Sequence, residues 1–145
     1  MPRPPRAVRR RLASVLIPSC AGYGLWTSAR TSLLLRRLAP MAAGGDAAAA
    51  ASVTQTAYAR AILGIPNSDL ACAYYAAVLA LYASGVLRRQ LVLANTRVVA
   101  WGTTAFSAYL IHALYFRLRA RCPVCMRGHA VNLILTLTLQ RLDAD

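Results

Sequence analysis

Four apolar stretches, 12–35, 68–87, 91–116 and 122–139, take up most of this chain, and clusters of arginine mark their borders. No other feature limits the fold as tightly. A hydrocarbon core about 30 Å thick needs roughly 20 residues of helix to cross it, and each stretch is of that order. Lipid offers the backbone no hydrogen-bond partner, so such a stretch has to satisfy its own polar groups, as a helix does. The arginines at 3, 6 and 9–11, at 36–37, at 88–89 and at 117, 119 and 121 lie where helix ends would meet the interface. The expected fold is therefore all-α and integral to the membrane: a bundle of four transmembrane helices, with a short interfacial helix capping the outer face.

Composition agrees. Charged residues make up 14% of the 145 and apolar ones 58%, against about 25% and 45–50% in soluble domains. So little charge cannot cover a water-soluble domain of this size. A net charge of +13 would by itself point to nucleic acid. The arginines form no single patch, however, and nucleic-acid binding is set aside on that ground.

Residues 1–11 form a basic, proline-rich tail expected to be disordered, and 12–140 a single membrane domain. Pro18, Gly22 and Gly24 point to a bend or close packing in the first helix. An Ala/Gly loop covers 41–51. Over 52–63, Val53, Tyr58 and Ile62 among polar residues suggest the amphipathic interfacial helix, which Gly64-Ile65-Pro66 ends. Asn67 or Ser68 is the expected N-cap of the second helix, with Asp69 in its first turn. The run 88–90 leaves room only for a tight hairpin. Four spans put both termini on one side, and the arginines of the tail and hairpin place that side in the cytoplasm. Those at 36–37, 117, 119 and 121 fall on the other side and oppose this. The expected location is the inner (plasma) membrane, multi-pass, with the start of the last helix facing away from the cytoplasm.

That start carries the sharpest chemical signal, Cys122-Pro123-Val124-Cys125. Two cysteines three residues apart at a helix N-terminus can close a reducible disulfide. The helix dipole stabilises a thiolate there, and Arg121 and Arg127 act in the same sense. Two other readings compete: cysteines that merely pack, and half of a zinc knuckle with His129 as third ligand. A closed zinc site needs a fourth ligand and no second Cys-x-x-Cys exists, so no metal is expected. Cys122, Cys125, His129, Asn132 and Thr136 follow one another at intervals of three and four and share one helix face. A polar stripe on a spanning helix faces the bundle interior or a cavity. Asn132 and Thr136 can equally bond neighbouring helices.

The chain resembles the vitamin K epoxide reductase family, including its bacterial disulfide-forming members. The likeness covers about 52–139. It rests on Ser52-Val53-Thr54-Gln55-Thr56-Ala57-Tyr58-Ala59, on Gly64-Ile65-Pro66-Asn67-Ser68 followed by Ala71-Cys72-Ala73-Tyr74-Tyr75, and on the Cys-x-x-Cys with Asn132 seven residues beyond it. The resemblance implies a four-helix bundle around a quinone (ubiquinone, menaquinone or vitamin K) as electron acceptor. It implies Cys122 and Cys125 as catalytic residues, Cys125 facing the quinone and Cys122 exchanging disulfides with the loop or a partner. It further implies Asn67 as a quinone-binding residue, whose amide can donate to a carbonyl. His129, where some relatives have tyrosine, can donate to the other carbonyl. Thr56, Tyr75 and Asn132 are possible pocket-lining residues.

One departure stands out. The family carries two further cysteines in the loop after the first helix, which shuttle electrons to the Cys-x-x-Cys. They would fall near Ala42 or Ala43 and near Ala50, and this loop has none. Ala71 also replaces the usual glycine. The expected activity is that of a membrane thiol–quinone oxidoreductase, with a thiol substrate or a separate thioredoxin-like protein as donor. The alternative is a catalytically degenerate membrane protein that binds a quinone or a partner.

Overall fold

A computed structural model describes residues 6–38, 57–60, 64–119 and 122–142. Four helices account for most of them. α1 is Arg6–Leu38, α2 Asn67–Ala83, α3 Gln90–His112 and α4 Pro123–Arg141. The architecture is the expected all-α one with four helices. Helix α1 starts at Arg6, so residues 6–11, expected in a disordered tail, are helical. Only Ala57–Arg60 is described of the expected interfacial helix, and it forms a 3-10 turn.

Helix α1 packs against both α2 and α4, and α4 also packs against α3. Helices α2 and α3 are linked by the hairpin, and their backbones approach each other less closely than α1 approaches α2 or α4. The core contains Ile17 and Ala21 of α1, Tyr75 and Val78 of α2, and Leu135 and Leu139 of α4. Small residues set its closest approach. At Gly24 a methyl group would sit 2.5 Å from the Tyr75 ring, so the backbone of α1 lies directly on that ring. Gly22 has nothing near it, and close packing belongs to Gly24 alone.

Pro18 lies inside α1. Proline has no N–H, so the carbonyl four residues earlier, that of Ser14, loses its helical donor. The Tyr82 hydroxyl of α2 supplies one at 3.0 Å. The Pro18 defect is thereby turned into a tie between two helices.

Helix α2 was expected to reach 87 and stops at Ala83. Gly85 adopts a left-handed backbone, φ +72°, the usual glycine stop just past a helix. Its N–H bonds the Tyr82 carbonyl at 3.1 Å, and a 3-10 turn at Val86–Arg88 leads into α3. Helix α3 loosens at its far end into a π turn, Ala113–Arg117, closed by Leu118 N–H to the Ala113 carbonyl at 2.9 Å.

Among the described residues no helix is long and apolar enough to cross a membrane. The physical reasons differ by helix. Helix α2 has only seventeen residues, Arg97 interrupts α3, and a polar stripe dilutes α4. Large apolar side chains nonetheless cover the outside: Val98 is 72% exposed and Phe116 71%, and Leu133, Ile134 and Leu137 of α4 are also exposed. Asn132, Thr136 and Thr138 are buried instead.

Candidate functional site

Helix α4 begins with a cap built from its own cysteine. Cys122 is extended, φ −122° and ψ 90°, and its sulfur accepts from the Cys125 N–H at 3.3 Å. Pro123 follows at the first helical position, where a missing N–H costs nothing. The Cys122 carbonyl accepts from Met126 N–H at 3.1 Å. This geometry brings the two Cα atoms to 5.3 Å, and the sulfurs are joined as a disulfide. Cys122 is only 2% exposed, whereas Cys125 is half-buried. An incoming thiol therefore finds the second cysteine more open than the first. His129, one turn below Cys125, is half-buried as well.

Further down α4 the stripe is committed to α3. Asn132 Oδ1 accepts from the Thr103 hydroxyl at 3.3 Å, and its Nδ2 donates to Ser107 Oγ at 3.1 Å. Thr136 donates to the Ala100 carbonyl at 3.1 Å and pairs with Thr104 at 2.8 Å. Of the two roles open to Asn132, the structure displays helix bonding, with both ends of its amide engaged.

On α2, Asn67 is not the cap. Pro66 holds that position, with no side-chain bond to the helix. Asn67 Nδ2 donates instead to the Tyr58 carbonyl at 2.8 Å, tying α2 to the 3-10 turn. The Tyr58 ring in turn stands 6.3 Å from that of Tyr109 on α3. This turn thus bridges the start of α2 and the end of α3, beside the cysteine end of α4.

At the start of α2, Asn67 Oδ1 and Ser68 Oγ are buried without a partner, while Ser32 of α1 lies beside Cys72 and the Tyr74 hydroxyl beside Thr103. Buried polar groups are almost always bonded, so the two at the start of α2 are groups that a ligand could bond. A quinone, with two carbonyl oxygens, and its reduced form, with two hydroxyls, fit such a set. The second proton of the Asn67 amide can meet a carbonyl, and Oδ1 can meet a hydroxyl.

Tyr75 is buried against Gly24 of α1. The ring of its neighbour Tyr74 stands 5.2 Å from its own, and the Tyr74 hydroxyl lies beside Thr103 of α3. Thr56 lies outside the described residues, as do the alanines that replace the shuttle cysteines.

No curated protein matches the chain. A family model does: that of the vitamin K epoxide reductase family matches residues 15–139.

Proposed function

The chain belongs to the vitamin K epoxide reductase family, whose members are thiol–disulfide/quinone oxidoreductases associated with membranes, and from that premise we propose that it oxidises thiols through Cys122–Cys125 and passes the electrons to a quinone. The observation that carries this reading is the Cys122–Cys125 disulfide at the head of α4, at the same end of the bundle as the unpartnered atoms of α2. In the first half-reaction two substrate thiols become a disulfide and the protein pair is reduced. In the second, Cys122 and Cys125 lose two electrons and two protons and rejoin, while quinone becomes hydroquinone. Cys125 delivers the electrons. Asn67 and His129 stabilise charge on the ring oxygens.

The protein residues do the positioning. The helix terminus stabilises the Cys125 thiolate, and the 3-10 turn holds Asn67 through its bond to Tyr58. With Cys122 covered, a donor reaches it only after the cover shifts. The missing loop cysteines leave that task to a separate thioredoxin-like protein or a small thiol.

The same proposal places the bundle in the inner (plasma) membrane, with the disulfide on the extracytoplasmic side. The apolar outer surface around a buried polar seam supports it, since an exposed apolar area of this kind is costly in water.

The test is reduction of ubiquinone or menaquinone by the detergent-solubilised protein with dithiothreitol as donor. Turnover that disappears in Cys125→Ala is the expected result. Full turnover in Cys125→Ala refutes the mechanism. No turnover in a wild-type protein whose disulfide is reducible would favour the binding-only alternative.

A further inference from the structure

The disulfide at the head of α4 is flanked by arginine and by almost no acid. Arg119 lies three residues before Cys122, so their Cα atoms are at most about 11 Å apart. Arg127 lies two residues past Cys125 on α4, about 5 Å away Cα to Cα. Arg117, Arg119 and Arg127 are all exposed, as is Arg60 on the 3-10 turn. Arg119 holds a left-handed backbone, φ +48°, which is uncommon for a residue with a side chain.

The chain supplies little to neutralise these charges. Between Asp69 and Asp143 it has no acidic residue. Asp143 and Asp145 follow the far end of α4, whose nineteen residues put them about 28 Å from Cys122. Only Asp46 and Asp69 remain against the arginines at 60, 117, 119, 121 and 127. On the extracytoplasmic side these arginines oppose the usual charge bias of membrane loops, so a role other than topology has to account for them. A disulfide supplies one. The group that attacks it is a thiolate, and nearby cations favour that form. They also select among thiols, since a carboxylate beside the attacking sulfur is drawn in and an ammonium is repelled.

We propose that the electron donor is a small anionic thiol, one whose sulfur stands next to carboxylates, and that Arg117, Arg119 and Arg127 receive those carboxylates. The inference rests on the thiol–quinone reading and gives its donor a chemical class. A small molecule suits the site better than a protein does, because Cys122 is 2% exposed and Cys125 half-buried, and because the charge is concentrated within a few residues of the pair. The donor thiolate attacks Cys122 Sγ, the bond to Cys125 breaks, and Cys125 leaves as the thiolate that the helix terminus stabilises. A second donor thiolate attacks the donor sulfur of this mixed disulfide. The donor disulfide departs and Cys122 is released as a thiolate. Two donor thiols thus give two electrons to the cysteine pair, and their two protons end on Cys122 and Cys125.

The test is opening of the disulfide in the full chain, in non-ionic detergent and without quinone. The probes are mercaptosuccinate, 2-mercaptoethanol and cysteamine, which are anionic, neutral and cationic. Opening is timed by acid quench, alkylation and mass. Dividing each rate by the wild-type rate with the same thiol cancels the thiol's own reactivity. At about 10 mM salt, where charges act over about 30 Å, the variant carrying Arg117→Gln, Arg119→Gln and Arg127→Gln is expected to lose about tenfold more rate with mercaptosuccinate than with 2-mercaptoethanol. With cysteamine it should gain on 2-mercaptoethanol. Arg119→Gln alone should show the same difference at about twofold. Wild type needs no variant to be informative: raising the salt to about 1 M, which shortens the range to about 3 Å, should slow mercaptosuccinate and spare 2-mercaptoethanol. Equal slowing of all three thiols in the variants overturns the proposal, because the arginines would then act on the cysteines or the fold. So does the absence of any salt-sensitive preference in wild type, the result if these arginines serve lipid headgroups or a protein donor. Reoxidation of the reduced wild type by a short-tailed ubiquinone is timed apart, and its failure overturns the functional reading whatever the donor preference.

Discussion

Gly24 shows how much a single missing side chain sets in this bundle. With its backbone against the Tyr75 ring, an added methyl would sit 2.5 Å away, and the ring is enclosed. Gly24→Ala is therefore expected to cost about 1–3 kcal/mol, as overpacking does, read as a lower unfolding midpoint in detergent. Gly22→Ala, with open space around it, should be neutral or slightly stabilising. Tyr75→Leu in the Gly24→Ala background should recover part of the loss; no recovery would mean the ring is not what the methyl meets. At this scale the sequence was informative wherever residue chemistry is specific. Cys122, Cys125 and Asn67 are readable because few roles suit those side chains at those positions. Which of Tyr74 and Tyr75 packs on α1 was not, since that depends on the rotation of α2, and the glycine that admits the Tyr75 ring lies on another helix.

Helices here are joined by repairs of their own backbone defects. Pro18 frees the Ser14 carbonyl, and Tyr82 bonds it from α2. Tyr82→Phe should cost about 1 kcal/mol, the net value of an ordinary hydrogen bond. In a Pro18→Ala background the carbonyl regains its own helical donor, and the cost of Tyr82→Phe should fall toward zero. A double-mutant cycle in thermal unfolding measures the difference, and equal costs in both backgrounds would refute the repair. Arg97 does the same at the far end of α4. Its guanidinium donates to the carbonyls of Leu139 at 3.0 Å, Gln140 at 3.4 Å and Leu142, closing a terminus that otherwise leaves acceptors unpaired. Arg97→Lys keeps the charge but loses the planar fork, so it is expected to lower stability nearly as much as Arg97→Ala. Recovery of wild-type stability by lysine would show that charge alone suffices. The apolar stretches marked where the four helices lie, but not where they stop. The left-handed Gly85 and the cap at Pro66 depend on backbone conformation, which a hydropathy pattern does not record.

Taken whole, the molecule buries polar groups and exposes apolar ones. Thr136 is fully enclosed and bonds Thr104 and the Ala100 carbonyl, while Leu137 beside it faces out. No described helix has the length and apolarity to cross a membrane on its own, and in α4 the reason is the face spent on that polar seam. A bundle can enter lipid on the strength of its outer surface, since lipid meets only that surface once the polar stripe has been satisfied internally. The two neighbouring positions separate this from a water-soluble bundle. In lipid, Leu137→Arg should cost about 2.5–3.5 kcal/mol of insertion if it lies near the core centre, and lower the amount recovered in the carbonate-washed membrane fraction. Thr136→Val should leave that amount unchanged while losing about 1 kcal/mol of folding stability per bond removed. In water the order reverses: an arginine at the exposed Leu137 would be harmless, and wild type would appear in the carbonate supernatant. That outcome would also remove quinone from reach, because a hydrophobic acceptor enters from the bilayer.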